Sequence, residues 1–303
     1  MAIGARTGGL LRHEQNFAAL MVAPGILVLI VTTTIPLLYL IWSSFQNLNL
    51  SMPFLDGFIG IDNYVQMMDD NQFWHALRLT GIYTLTTVTM QLVIGLGLAL
   101  LVMQIPAGQW VFRIIAILPI VLAPVVVGLF WRTLMLAPEF GIVDFITRSL
   151  GFSQVNWLGA PTPALLSVII IHTWQWAPFS FLVFLASLAS LPPDIYEAAR
   201  IDRASAVQRF WYITLPLLRP AIIIVVIMRS VIALSAFAAI FAATGGGPGT
   251  STEIINLYIF KKSFIELDFG YGSALAVALL VITLGISALL FHFRRAKIPV
   301  ADS

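Results

Sequence analysis

Six long apolar runs, spread from one end of the chain to the other, leave little choice of fold. A helix that crosses a bilayer needs about 20 mostly apolar residues, because in lipid every backbone polar group must be bonded within its own segment. Residues 17–45, 80–104, 112–136, 164–188, 220–243 and 272–293 meet that length. They predict an all-α integral membrane protein with six transmembrane helices, organised as one membrane domain over residues 1–303. The composition agrees: 10% of residues are charged, against about 25% in a soluble domain. The first run is too long for a signal-peptide core of about 7–15 residues, and no small-residue cleavage site follows it, so it is expected to stay as a span.

Six spans put both termini on one side, and the basic residues choose the side. With the N-terminus in the cytoplasm, the cytoplasmic segments hold Arg6, Arg12, Arg113, Arg200, Arg203, Arg209, Arg219, Arg294, Arg295 and Lys297. The outer segments hold Arg78, Arg132, Arg148, Lys261 and Lys262, and the first outer loop is acidic, with Asp56, Asp62, Asp69 and Asp70. The expectation is N-in, C-in, with a bacterial periplasm or its equivalent outside. The net charge of +2 and the lack of a basic run point away from nucleic acid. No cysteine is present, so thiol chemistry, disulfides and Cys-ligated metal are excluded.

The second half carries one polar island, in the cytoplasmic loop 189–219. Pro192, Pro193 and Asp194 precede Glu197, Ala198, Ala199, Arg200 and Asp202. Asp194 can cap a helix starting near Ile195, with Glu197 completing a capping box. Ala198 and Ala199 give that helix a close-approach surface, and Pro216 and Pro220 redirect the chain into the next span. Such a helix can be offered to a soluble partner; the same spacing also fits an interfacial helix lying in the headgroups. On the outer side, loop 244–270 opens with Gly245, Gly246, Gly247, Pro248 and Gly249, a turn signal that cannot continue a helix.

All 14 Asp and Glu fall outside the six spans. Proton- or sodium-driven carriers usually place carboxylates near the midplane, and a membrane enzyme needs a clustered acid/base set. Both rival classes, secondary carrier and membrane-embedded enzyme, are disfavoured on that ground. His172 lies alone in the fourth span and reads as a packing residue.

Arg229 is the exceptional charge, about nine residues into the fifth span. A charge at the bilayer centre costs about 2.5–3.5 kcal/mol on insertion scales, so it must face a wet cavity or a partner, or snorkel to an interface, which its depth in the span disfavours. A guanidinium grips a sulfonate, phosphate or carboxylate bidentately; bonding to backbone carbonyls or to a partner chain is the alternative. Arg229, Ala233 and Phe237 are expected on one helical face. In the fourth span Trp174, Trp176 and Phe179 could stack on sugar rings, with Pro178 freeing carbonyls beside the cavity; packing or an interfacial belt is the alternative for each aromatic.

The run Glu197, Ala198, Ala199, Arg200, Ile201, Asp202, followed by Ile213, Thr214, Leu215 and Pro216, closely resembles the EAA loop of ABC-importer permeases. Phe58, Ile59, Gly60, Asn63, Tyr64, Phe73 and Trp74 resemble the stretch before the second span of carbohydrate permeases. Thr244 to Pro248 resembles the GGP signature of the maltose-transporter-type permease. The family usually has glycine where Arg203 stands. The resemblance implies a type I ABC importer permease in the bacterial inner membrane, with the island as its coupling helix docked on an ATPase through Glu197, Ala198, Ala199 and Asp202. It also implies a second homologous permease, two ATPase subunits and a periplasmic solute-binding protein. ATP and Mg would be bound by the ATPase subunits, with no cofactor and no metal on this chain. None of the three lysines follows a glycine, so no phosphate-binding loop is present. The substrate would be a sugar or sugar derivative, with Trp176 and Phe179 at substrate-contact positions. The charge of Arg229 favours an anionic one: a sulfonated sugar or its glyceride, a glycerol phosphate or its diesters, or a uronate; polyols and neutral oligosaccharides stay open.

Overall fold

A computed structural model describes residues 4–52, 54, 56–105 and 108–295, with side chains from residue 20 to residue 292. The side chains of Arg6, Arg12, Arg294 and Arg295, and all of Lys297, lie outside the described set. In chain order the elements are α1 (Gly4–Ser43), β1 (Gln46–Asn47), β2 (Gly57–Phe58), α2 (Asp62–Asp69), α3 (Asn71–Met103), α4 (Gln109–Val121), α5 (Pro124–Phe130) and α6 (Ile142–Ser149). There follow α7 (Pro161–Ala189), α8 (Pro193–Ile201), α9 (Ala206–Arg209), α10 (Leu215–Leu217), α11 (Arg219–Leu234), α12 (Ala238–Ala243), α13 (Ile255–Phe260) and α14 (Phe269–Arg295). Among the described residues four helices are long and apolar enough to cross a membrane, or up to six when each of two sharply bent pairs counts as one span.

Elements α1 to α2 and residues 261–278 form one compact unit; α3 to α13 with the rest of α14 form another. In the first, β1 and β2 pair antiparallel, Gln46 opposite Phe58. Asn63 holds this turn by donating from Nδ2 to the carbonyls of Ser44 and Gln46, both at 2.9 Å. The hydroxyls of Tyr64 and Ser44 meet at 2.7 Å. Gly270 is required where it stands, because a Cβ there would sit 2.2 Å from the Gln46 carbonyl oxygen.

In the second unit α7 is the central helix, with 67% of its spanning window buried. It packs along α3, and the two approach closely at Gly95, where a Cβ would lie 2.6 Å from the Ser180 Cβ. Small residues at helix crossings are the usual device in membranes, since apolar packing there gains little over lipid. Phe181, Phe184, Leu185, Leu218 and Val225 fill the core beside Ala99 and Val102.

Three boundaries differ from the sequence reading. Helix α3 starts at Asn71 rather than near 80, because Asp70 caps it by accepting from the backbone N–H of Gln72 and Phe73; its first turns are polar and aromatic and give no hydropathy signal. The expected span 112–136 is a pair of helices bent by 98°. Pro124 begins the second of them, and the residue before a proline is driven to extended backbone; Ala123 is extended at φ −61°, ψ 136°. The Leu122 carbonyl freed by this bend accepts from Gln175 Nε2 at 3.0 Å. The expected span 220–243 breaks at residues 235–237, where Asn256 Nδ2 takes the open carbonyls of Leu234 and Ala236 at 2.7 and 3.2 Å.

Candidate functional site

Helix α8 carries the polar island. Its start is set by prolines: Pro192 is the N-cap, Pro193 the first helical residue, and no side chain caps the end. Proline suits that position because its missing N–H would be unbonded there anyway. The capping box expected at Asp194 and Glu197 is thus not formed, and Asp194 lies in the first turn, at the positive end of the helix dipole. A capping box forms in α9 instead, where Ser205 Oγ accepts from the Gln208 N–H at 3.2 Å and Gln208 Oε1 from the Ser205 N–H at 2.8 Å.

The end of α8 is built on Arg203, whose φ is +55°. The Ala204 N–H donates to the Ala199 carbonyl at 2.9 Å and the Arg203 N–H to the Arg200 carbonyl at 3.0 Å. That paired ending commonly uses glycine at the left-handed position; here arginine holds the same turn. Ala199 is buried, while Glu197, Ala198 and Asp202 are exposed. Tyr196 Oη and Thr214 Oγ1, at 3.0 Å, tie the helix to the returning chain. A cavity of about 590 Å³ opens beside it, lined by Leu100, Met103, Leu188, Tyr196, Glu197 and Arg200 among others.

The second gathering is buried. Arg229, on α11, has no exposed surface. Its Nε donates to Gln91 Oε1 of α3 at 2.8 Å. Its guanidinium carbon lies 4.6 Å from the centre of the Trp176 ring and 5.7 Å from that of Phe179, both on α7. Gln91 Nε2 also reaches His172 Nδ1 at 3.2 Å. Arginine has no acceptor and the amide nitrogen only donates. The amide orientation is therefore fixed, and His172 Nδ1 must be the unprotonated, accepting nitrogen. The His172 ring packs on Tyr83, centres 5.3 Å apart. Among the described residues, neither Nη1 nor Nη2 of Arg229 has a hydrogen-bond partner, and neither does the Tyr83 hydroxyl.

Of the residues expected on the substrate path, Arg229, Trp176 and Phe179 come together, and Ala233 is buried one turn beyond Arg229. Phe237 does not share their helical face, because α11 ends at Leu234; it packs on Phe241 and Phe260, ring centres 5.4 and 5.2 Å away. Trp174 points elsewhere on α7. It stacks on Phe130 and meets Trp131 edge-on, lining an apolar cavity of about 380 Å³ with Met90, Ile94 and Pro119. Gln91, Tyr83 and His172 belong to the arginine cluster and were not read as site residues from the sequence. Gln91 was open to discovery as an amide in the middle of an apolar run.

The bent and broken helices around a buried arginine, with an exposed short helix between two spans, define a helical membrane permease of the type I importer class. The sequence profile of the family described as "Binding-protein-dependent transport system inner membrane component" matches residues 91–296, and the chain belongs to that family. It is an inner-membrane transport subunit, neither an enzyme nor a secondary carrier. It is 36% identical to the sulfoquinovosyl glycerol transport system permease protein SmoG of Agrobacterium fabrum, over 94% of this chain and 92% of the relative. It is 34% identical to the trehalose/maltose transport system permease protein MalF of Thermococcus litoralis, over 93% and 94%. Its fold matches a chain of a crystallised bacterial ABC transporter that imports the acidic polysaccharide alginate, with a TM-score of 0.82, 23% identity, and coverage of 97% of this chain and 100% of that one.

Proposed function

We propose that this chain forms one half of the channel of an ATP-driven importer for a sugar derivative that carries an anionic group, with Arg229 as its counter-charge. One observation carries the reading: both terminal nitrogens of a fully buried guanidinium are unbonded. A buried charge without a partner is strongly unfavourable. All 14 carboxylate side chains of the sequence lie outside the predicted spans, and among the described residues none bonds the guanidinium. A transient anion meets that need. Trp176 and Phe179 give the apolar face for a sugar ring, and Ala233 is a small side chain one turn from Arg229. Trp174 and Phe237 act from the surrounding packing. The two relatives divide on this point, one named for a sulfonated glycoside and the other for neutral disaccharides. Arg229 favours the first.

In this reading residues 1–303 form a single translocation domain with both termini in the cytoplasm. A second homologous permease completes the channel, and two ATPase subunits bind ATP and Mg. Helix α8 docks on one of them through the exposed Glu197, Ala198 and Asp202, while Ala199 is buried and supports that face from behind. A periplasmic binding protein delivers substrate to loops 48–78 and 244–270. Closure of the ATPase pair then shifts the permeases between outward and inward access.

The test is binding-protein-dependent uptake into proteoliposomes holding the whole transporter, offered sulfoquinovosyl glycerol or neutral glucosyl glycerol. Arg229→Gln is expected to lower uptake of the sulfonated compound roughly a hundredfold, the scale of a lost charge-assisted pair, and to spare the neutral one. Unchanged uptake of the sulfonated compound would refute the anionic reading.

A further inference from the structure

The guanidinium of Arg229 is aimed by its neighbours. It has five N–H groups. One of them, on Nε, is taken by Gln91 Oε1 at 2.8 Å. The four that remain are on Nη1 and Nη2, the two nitrogens without partners. Gln91 is itself held from behind, by His172 Nδ1 at 3.2 Å and more distantly by the His172 carbonyl at 3.5 Å. It cannot rotate without losing bonds at both ends. The flat face of the guanidinium is covered by the Trp176 ring, so its unbonded N–H groups lie along the in-plane Nη edge. That edge, with two parallel N–H vectors, matches two oxygens of one sulfonate, phosphate or carboxylate.

We propose that Gln91 is a positioning residue: anchored on His172, it holds Arg229 with its Nη edge preset for two-point capture of an oxyanion, and so sets the charge specificity of the permease. The inference rests on the anionic reading above and adds to it. An unheld arginine would retain its charge and lose its geometry. A neutral amide is also the right holder. It satisfies Nε without neutralising the guanidinium, whereas a carboxylate at the same place would form an internal ion pair and compete with the substrate.

The decisive variant is Gln91→Glu, in the assembled transporter with its binding protein. The half-saturating concentration of binding protein loaded with sulfoquinovosyl glycerol should rise roughly tenfold or more, as expected for loss of a charged hydrogen-bonded contact, while uptake of glucosyl glycerol changes little. Gln91→Leu, which removes the holder without adding charge, should give a smaller loss with the same selectivity. The double variant Gln91→Glu with Arg229→Gln should be no worse than Arg229→Gln alone, since the two act on one contact. A purely structural Gln91 would instead lower both substrates equally and add to Arg229→Gln. Either result overturns the proposal. If Arg229→Gln discriminates between the substrates and Gln91→Glu does not, the positioning role falls and the anionic reading stands. If Arg229→Gln itself has no effect, the anionic reading falls first.

Discussion

The exposed helix α8 and the buried Arg229 cluster solve opposite problems. Residues 192–216 settle the exposed helix almost entirely on their own: prolines start it, a left-handed arginine ends it, and Tyr196 bonds Thr214 only 18 positions away. Its outward residues have to be met by something outside the chain. The cluster is assembled from three helices, with Gln91 and Arg229 separated by 138 positions, and seals its charge from solvent. Docking surfaces can be local because their specificity lies in the partner. A site that selects a small solute must be rigid in three dimensions before the solute arrives. If this contrast holds, damage to α8 should stop transport without altering selectivity, and damage to the cluster should do the reverse.

The largest effect is expected from Glu197→Lys. A like-charge or unmatched contact in a docking cleft costs several kcal/mol, roughly a hundredfold or more in occupancy. Uptake should fall to background and the ATPase should no longer co-purify with the permeases. The thermal stability of the permease pair should be unchanged, since Glu197 is exposed. Full assembly and uptake in this variant would remove α8 from the coupling path.

A middle effect is expected at Gly95. It lies one turn beyond Gln91 on α3 and touches the backbone of α7, where a Cβ would be 2.8 Å from the Phe181 nitrogen. Gly95→Ala must push the two helices apart, and overpacking of this kind costs about 1–3 kcal/mol. The expected signature is coupled: a lower melting temperature together with a weaker preference for the sulfonated over the neutral glycoside, because Gln91 moves away from its anchor His172 on α7. A stability loss with selectivity intact would show that the cluster tolerates helix displacement, and would weaken the contrast drawn above.

The same contrast explains what the sequence could tell. The island was legible because its residues are contiguous and its proline boundaries are printed in the chain. Arg229 was legible as a lone charge in an apolar run, and Trp176 and Phe179 lie against its guanidinium. Its partners were not, because nothing in one dimension connects positions 91, 172 and 229. Phe237 was misplaced for a related reason. A helical face was extended through residues 235–237, and the break there is stabilised by Asn256, about 20 residues further on. The bend at Pro124 was open to reading, since a proline interrupted the third run, but length and hydropathy alone favour a straight span.

The smallest effect concerns Arg203, and it tests whether α8 is as self-contained as the comparison requires. A non-glycine residue in the left-handed region carries a cost of roughly 1–2 kcal/mol. Glycine would remove that cost but would gain freedom in the unfolded chain, which offsets about 0.4–1 kcal/mol of the benefit. Arg203→Gly should therefore stabilise the turn by about 1 kcal/mol, taking the middle of both ranges. The bonds from Ala204 to Ala199 and from Arg203 to Arg200 are backbone bonds and should persist. Hydrogen exchange at the Ala204 amide should slow by up to roughly fivefold, with uptake and selectivity unchanged. Faster exchange there would mean that the Arg203 side chain holds the turn through a contact made in the assembled transporter. The ending of α8 would then depend on its partner, as the rest of its exposed face does.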